Sequence, residues 1–249
     1  MKTAEKKRKT RIDALIFERG LAESMQRAQA ILMAGVVSVD GVKVDKPGKE
    51  VDSDSEIEIR EGLPFVGRGG LKLEGMLEET GFDPAGLDVI DIGSSTGGFT
   101  DCLLKRGAAR VWAVDVGKGI LDYRLRNDER VVVLEERNIR HLDPAEIGAP
   151  LDMAVIDVSF ISLEKVLPKT RELLKEGGVV FALIKPQFEV GKGQVGKGGI
   201  VRDPEKHREV VERIRDFAAS IGFTPVATGE SPIKGTKGNR EFWIFLTLP

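Results

Sequence analysis

The sequence predicts an α/β protein with a doubly wound, mostly parallel sheet, preceded by a small α+β module. Three observations predict it. Short apolar runs of about 7–10 residues, "LDVIDIG", "RVWAVDVG", "LDMAVIDVSF" and "GVVFALIKP", alternate with segments of helical character over 97–107, 162–175 and 204–221. Buried strands that alternate with helices imply a parallel sheet covered on both faces. Ahead of these runs the chain reads as two short helices and a hairpin, and the Pro- and Gly-rich stretch "EGLPFVGRGG" separates the two patterns.

The organisation that follows is a basic tail over 1–10, a small module over 11–60, a linker over 61–68 and a large domain over 69–249. The tail and its neighbour, "MKTAEKKRKTR", carry six Lys or Arg against one Glu, although the whole chain has a net charge of −2. The charge is polarised, and the basic end suits an anionic partner. In the small module "RIDALIFER" and "SMQRAQAILMA" have helical spacing, with Ser24 at the N-cap position and Ala28, Ile31 and Leu32 on one face. Gly35 is placed to stop the second helix, and "VVSVDGVKV" alternates Val with polar residues around Asp40-Gly41, the dipeptide of a type I′ hairpin turn.

Composition narrows the function classes. Cys102 is the single cysteine, so no intrachain disulfide framework exists and a reducing, cytoplasmic setting is expected. Two histidines and one cysteine, widely separated, give no zinc-site spacing, so no metal is expected. The basic N-terminus lacks the apolar core of a signal peptide, and no apolar run approaches the length of a membrane span.

The strongest chemical signal is "VIDIGSSTGGFTDCLL", residues 89–104. A strand ends at Asp91, a turn holding Gly93, Ser95, Thr96, Gly97 and Gly98 follows, and a helix begins at the last two glycines. Such a turn lets a ligand approach the backbone and meet the positive end of a helix. Asp115 in "AVDVG" closes the next strand, about 20 residues on, where a carboxylate can accept hydrogen bonds from both ribose hydroxyls of a nucleoside. Together the two features suit the S-adenosylmethionine site of a doubly wound methyltransferase. Asp157 in "AVIDVSFISL" ends a fourth strand beside that crevice, and Lys185 in "FALIKPQFE" ends the following one. Lys72 in "GRGGLKLEG" and Glu241 in "GNREFW" read, on the residues alone, as surface positions.

The motifs "GRGGLKL", "DIGSSTGGFTDCLL", "AVDVGKG", "DVSFISL", "LIKPQFEVGKGQVGKGGIVRD" and "NREFW" closely resemble those of the TlyA family, also known as haemolysin A. The resemblance covers nearly the whole chain after the tail. It implies a ribosomal-protein-S-four-type RNA-binding domain joined to an FtsJ-like, Rossmann-like class I methyltransferase that uses S-adenosyl-L-methionine to 2′-O-methylate ribosomal RNA, at cytidine. Ribosomal RNA or ribosomal subunits are then the partners. The chain departs from the family pattern at Met25, where Arg is usual, and in the linker "REGL", which lacks the family's aromatic.

The resemblance also implies a catalytic set of Lys72, Asp157, Lys185 and Glu241, with Asp157 counted beside the cofactor as well. A ribose 2′-hydroxyl is a poor nucleophile, so its proton must leave as it attacks the methyl group. A lysine is a base only when neutral, a form that burial beside a second cation favours. Lys185 is the candidate base, Lys72 steers the hydroxyl, and the two carboxylates hold the ammonium groups. Arg11, Arg27 and Arg68 are candidate RNA contacts, as are Lys192, Lys197 and Arg202 in "GKGQVGKGGIVRD". That stretch begins like a P-loop, but Gly198 stands where the magnesium-binding Ser or Thr belongs, and "GGIVRDP" delays the next helix. It reads as a cationic loop over RNA phosphates rather than an NTPase site. The competing classes are a non-enzymatic RNA-binding or ribosome-assembly protein and a membrane-active haemolysin.

Overall fold

The structure, a computed structural model, describes the chain apart from residues 1–8, 23, 34, 60–63, 192, 197, 236 and 237 and the side chains at 27, 30 and 33. The chain divides into two compact units, Met1–Pro64 and Phe65–Pro249.

The first unit runs β1 (Lys9–Arg11), α1 (Ile12–Glu18), α2 (Met25–Met33), β2 (Val37–Val39), β3 (Val42–Val44), β4 (Glu50–Asp52) and β5 (Ile57–Ile59). β1 pairs antiparallel with β4, and β2 lies between β3 and β5. Asp40 at φ 50° and Gly41 at φ 76° are both left-handed, and Val39 pairs with Val42, so the Asp-Gly dipeptide makes the two-residue hairpin that its chemistry favours. Gly35 at φ 69° follows α2, and its N–H bonds the Leu32 carbonyl at 2.8 Å. Ile12, Leu15 and Ile16 of α1 meet Ala28 and Leu32 of α2 over Val37, Val39, Val44 and Val51.

The second unit runs α3 (Gly69–Thr80), β6 (Asp88–Ile92), α4 (Gly98–Lys105), β7 (Arg110–Val114), α5 (Tyr123–Arg126), β8 (Val131–Leu134), β9 (Leu151–Ile156), α6 (Leu167–Leu173), β10 (Leu174–Ile184), α7 (Pro186–Glu189), α8 (Pro204–Ser220), β11 (Thr224–Glu230) and β12 (Phe242–Thr247). Among the described residues seven strands form one sheet in the order β11-β12-β10-β9-β6-β7-β8. Every pair from β10 to β8 is parallel, whereas β12 runs antiparallel to β10 and β11. The expected closing antiparallel strand is therefore present. β8, "VVVL", was not among the predicted runs, and the helix expected to reach residue 175 stops at Leu173 because β10 begins at Leu174.

Side chains alternate across the strands with period two. Val89, Val111, Met153, Val155, Phe181 and Leu183 face one core with α3, α4 and α5. Ile90, Ile92, Val114, Ala154, Ile156, Ala182 and Ile184 face the other, with α6 and α8. The alternation continues past the strand ends, so Asp157, one beyond Ile156, and Lys185, one beyond Ile184, leave the sheet on the α3 face. Strand order reverses between β6 and β9, and in sheets of this kind ligands bind outside the carboxyl ends at such a switch point.

α3 reaches that point through glycines. A Cβ on Gly98 would lie 2.8 Å from Gly70 N and 3.2 Å from Gly69 Cα, closer than backbone atoms tolerate. Only a bare α carbon lets α4 start directly against the first turn of α3.

Candidate active site

Two cavities open at the carboxyl ends of β6 and β9. The first, about 470 Å³, is lined among others by Lys72, Asp157, Lys185, Gln187 and Glu241. The second, about 430 Å³, lies past Asp115 and Asn138 and has the apolar wall Val116, Ile139 and Ile161. Gly93, Ser95, Asp157, Ser159 and Phe160 line both, so the two are neighbours along one cleft.

In the first cavity four charged side chains from four separate segments form a row. Lys185 Nζ pairs with Asp157 Oδ1, and Asp157 Oδ2 lies 3.8 Å from Lys72 Nζ. Lys72 Nζ in turn donates to Glu241 Oε2 at 2.6 Å, across 169 residues of sequence. The charges alternate in sign and sum to zero when all four groups are ionised. Lys72 and Lys185 are each 8% exposed and Glu241 3%, which corrects the expectation that Lys72 and Glu241 are surface residues. The reason is register: Phe242 pairs with Ile184, so the residue before β12 lands beside the residue after β10. Asp157 separates the two lysines, so mutual Lys–Lys repulsion, expected from the sequence, is offset by the carboxylate between them.

The surrounding polar groups extend the row. Lys185 Nζ donates to Ser159 Oγ at 3.2 Å, and Gln187 Nε2 donates to Glu241 Oε1 at 3.3 Å. Gly235 makes room for Glu241: a Cβ there would fall 1.9 Å from Glu241 Oε1. Neither Ser159 nor Gln187 was anticipated, although both sit inside the quoted motifs "DVSFISL" and "KPQFE".

The predicted cofactor residues divide. Gly93, Ser95, Thr96 and Gly98 line the first cavity and Asp115 the second. Gly93 is at φ 88°, and a Cβ there would lie 2.7 Å from the Asp157 carbonyl oxygen, so the turn closes onto the end of β9 only as glycine. Asp115 accepts the N–H of Ser95 at 2.9 Å and that of Gly117 at 2.7 Å, which ties the turn to the end of β7. Asp91 and Gly97 lie elsewhere than expected, behind the cleft. Gly97, at φ 96°, backs onto Leu121 and Leu125. Asp91 is fully buried on the α4 side, where Thr100 Oγ1 donates to its Oδ2 at 2.6 Å and Oδ1 has no partner among the described residues. Burial pushes its carboxyl up to about 7, with Asp157 and Asp115 adding to the shift and the Thr100 bond opposing it.

The candidate RNA contacts are scattered. Arg11 is engaged by Asp13 through bonds of 3.0 and 2.7 Å, and this contact holds the buried Asp13 carboxyl below the usual range. Arg68 is exposed and donates to the Lys234 carbonyl at 3.1 Å, and Arg202 is exposed. Arg27 stands on α2 with its side chain outside the described residues, as are Lys192 and Lys197 altogether. Among the described residues no helix is long and apolar enough to cross a membrane, and no cluster of His, Cys, Asp or Glu could hold a metal ion.

The family models that match are the FtsJ-like methyltransferase over residues 65–248 and the S4 domain over residues 10–57. The Mycobacterium tuberculosis protein named 16S/23S rRNA (cytidine-2′-O)-methyltransferase TlyA is 44% identical over 96% of this chain and 90% of its own. The chain belongs to the TlyA family. It is a methyltransferase of the FtsJ-like kind with an S4 domain ahead of it. Another relative, hemolysin A of Brachyspira hyodysenteriae, is 40% identical over 93% of this chain and 97% of its own. A hemolysin-labelled solved structure from Streptococcus thermophilus has a TM-score of 0.76 at 43% identity, over 96% of this chain and 88% of that one. The small module and the large domain anticipated at 11–60 and 69–249 lie within the two units that meet between Pro64 and Phe65.

Proposed function

We propose that this TlyA-family protein transfers a methyl group from S-adenosylmethionine to a ribose 2′-hydroxyl of ribosomal RNA, at cytidine, with Lys185 as the base. The observation that carries the reading is the buried row Lys185–Asp157–Lys72–Glu241, set in a cavity that adjoins a second one ending at Asp115. The residues of the second cavity fit a nucleoside cofactor. Asp115 offers a carboxylate for the ribose hydroxyls, Val116, Ile139 and Ile161 offer an apolar slot for a flat base, and the Gly93 turn brings bare backbone against the ligand. When bound, the cofactor supplies a methyl group on a positively charged sulfur.

The protein's own residues do the rest. Lys185, once it has given up its own proton, takes the proton of the 2′-hydroxyl at Nζ as the oxygen attacks, and Ser159 and Asp157 fix where that nitrogen points. Lys72, held by Glu241, donates to the same oxygen and orients it, while Gln187 braces Glu241. Holding the two reactants in line contributes roughly 7–11 kcal/mol of barrier reduction in well-oriented systems. The S4 domain, with Arg11 and Arg27, and the cationic residues Arg68, Lys192, Lys197 and Arg202 capture the RNA.

The test is to incubate the protein with labelled S-adenosylmethionine and unmodified small subunits, large subunits or naked ribosomal RNA, and to map the methyl group by mass spectrometry. A methyl on cytidine ribose is expected. Label on a base, or no transfer to any of the three, overturns the reading. Lys185→Ala is expected to lose transfer and keep its affinity for the cofactor, and wild-type turnover in that variant removes Lys185 as the base.

A further inference from the structure

Glu189 is a buried carboxylate, 8% exposed, that the reaction above leaves without a task. It ends α7, the short helix that starts directly after Lys185. Its carboxylate crosses to the segment that follows β9. There Oε1 accepts the Leu163 N–H at 2.8 Å and Oε2 accepts from Ser162 Oγ at 2.7 Å. Arg213 of α8 supports it from behind, donating to the Glu189 carbonyl oxygen at 2.7 Å, to its Oε2 at 3.4 Å and to Glu164 Oε1. Burial raises the Glu189 carboxyl above its usual range, and these donors are what favour its charged form.

The same two segments also meet at the active site, where Lys185 pairs with Asp157 and donates to Ser159. Residues 157–163 are thus pinned to residues 185–189 at both ends, and the two pins close a ring. Inside the ring stands Phe160, at φ 63° and 89% exposed, its ring centroid 4.8 Å from that of Phe188. A bulky side chain in the left-handed region is strained, and such strain persists only where the surroundings over-determine the backbone. Without the Glu189 pin, the stretch between Asp157, whose N–H stays on the Ile92 carbonyl at 3.0 Å, and the buried Leu163 could relax Phe160 and turn the Asp157 carboxylate and Ser159 away from Nζ.

We propose that Glu189 is a positioning residue for methyl transfer: by accepting from Ser162 and Leu163 it holds residues 157–163 in the shape that places Asp157 and Ser159 on Lys185. The proposal rests on the functional reading above. Glutamine at this position offers one acceptor oxygen where the carboxylate serves Ser162, Leu163 and the longer Arg213 contact, and it turns an NH₂ group toward the donors left over, so Glu189→Gln opens the second pin without changing side-chain size.

The experiment is single-turnover methyl transfer with the full-length protein in excess, at saturating S-adenosylmethionine and RNA, and at a temperature where circular dichroism reports each variant folded. Glu189→Gln is expected to slow the transfer step tenfold or more, with RNA and S-adenosylhomocysteine affinities within about fivefold of wild type. Ser162→Ala removes one donor, leaves the carboxylate in place, and is expected to slow transfer two- to fivefold; it carries the test if Glu189→Gln does not fold. A purely structural role would lower the melting temperature and leave the rate of the folded fraction alone. A wild-type rate in folded Glu189→Gln, or in Ser162→Ala where that is the variant that folds, overturns the proposal. Absence of ribose methylation by the wild-type protein overturns the functional reading and this inference together, whereas ribose methylation at equal rates in wild type and variant overturns the inference alone.

Discussion

Asp91 makes the protein's stability depend on pH in a direction opposite to most carboxylates. Burial, with Asp157 and Asp115 nearby, pushes its carboxyl up to about 7 in the folded chain against 3.8 ordinarily. The folded state therefore holds this proton more tightly than the unfolded state, and stability falls as pH rises from about 4 through 7. A difference of about 3 pKa units is worth about 4 kcal/mol, of which roughly 2.5 kcal/mol is lost between pH 5 and pH 8. Asp91→Asn cannot ionise, and its amide oxygen can still accept from Thr100. Trp112 and Trp243 are the chain's two tryptophans and both lie in the seven-stranded sheet, so their fluorescence reports unfolding of this unit. Urea titrations at the two pH values are expected to show the stability of Asp91→Asn, relative to wild type, rising by about 2.5 kcal/mol between pH 5 and pH 8. A difference that stays constant to within about 0.5 kcal/mol, the usual error of such comparisons, refutes the reasoning.

Three further outcomes are expected. Gly98→Ala drives a methyl group into the backbone of Gly70 and is expected to cost about 1–3 kcal/mol in thermal melts, and unchanged stability would mean that α3 can slide. The Glu135 carboxylate is held down to about 2 by the backbone N–H groups of Gly119, Leu121 and Ile120 and by Arg126, so its contribution is present above the ordinary carboxylate range and lost as pH falls toward 2. Glu135→Gln is expected to loosen the turn after Asp115 and weaken calorimetric S-adenosylhomocysteine binding several-fold. Glutamate at both 192 and 197 is expected to weaken RNA binding and to flatten the slope of log affinity against log salt by about 0.7–0.9 for each phosphate that is no longer neutralised, with cofactor affinity unchanged.

Local chemistry was legible wherever a run of sequence forms its own structure. The Asp40-Gly41 turn, the glycine turn after β6 and the strands β6, β7, β9 and β10 all declare themselves within about ten residues. β8 did not, because four apolar residues between "RNDER" and "EERN" are too few to separate a strand from a turn. The site was half legible. Asp157 and Lys185 end recognisable strands, but Glu241 becomes buried only when β12 comes into register with β10, and Lys72 only when α3 brings it to Glu241 across 169 residues, and no local pattern records either pairing. Asp91 misled for a simpler reason: period two turns it under α4 instead of into the cleft. Glu189 is invisible in the same way, since its partners lie 26 and 27 residues upstream.

If the alternating row is the reaction centre proposed above, it has a bearing on how the molecule finds its substrate. Two ammonium groups and two carboxylates interleaved at close range cancel one another's field within a few ångströms. The proposed place of methyl transfer therefore exerts little pull on a polyanion approaching from solution. On the proposed reading, attraction comes from the basic end of the chain and from outlying arginines and lysines, so capture and reaction are governed by different residues. Variants in the row can silence the reaction while the protein still occupies its RNA, and such a silent occupant would compete with the active enzyme for the same sites.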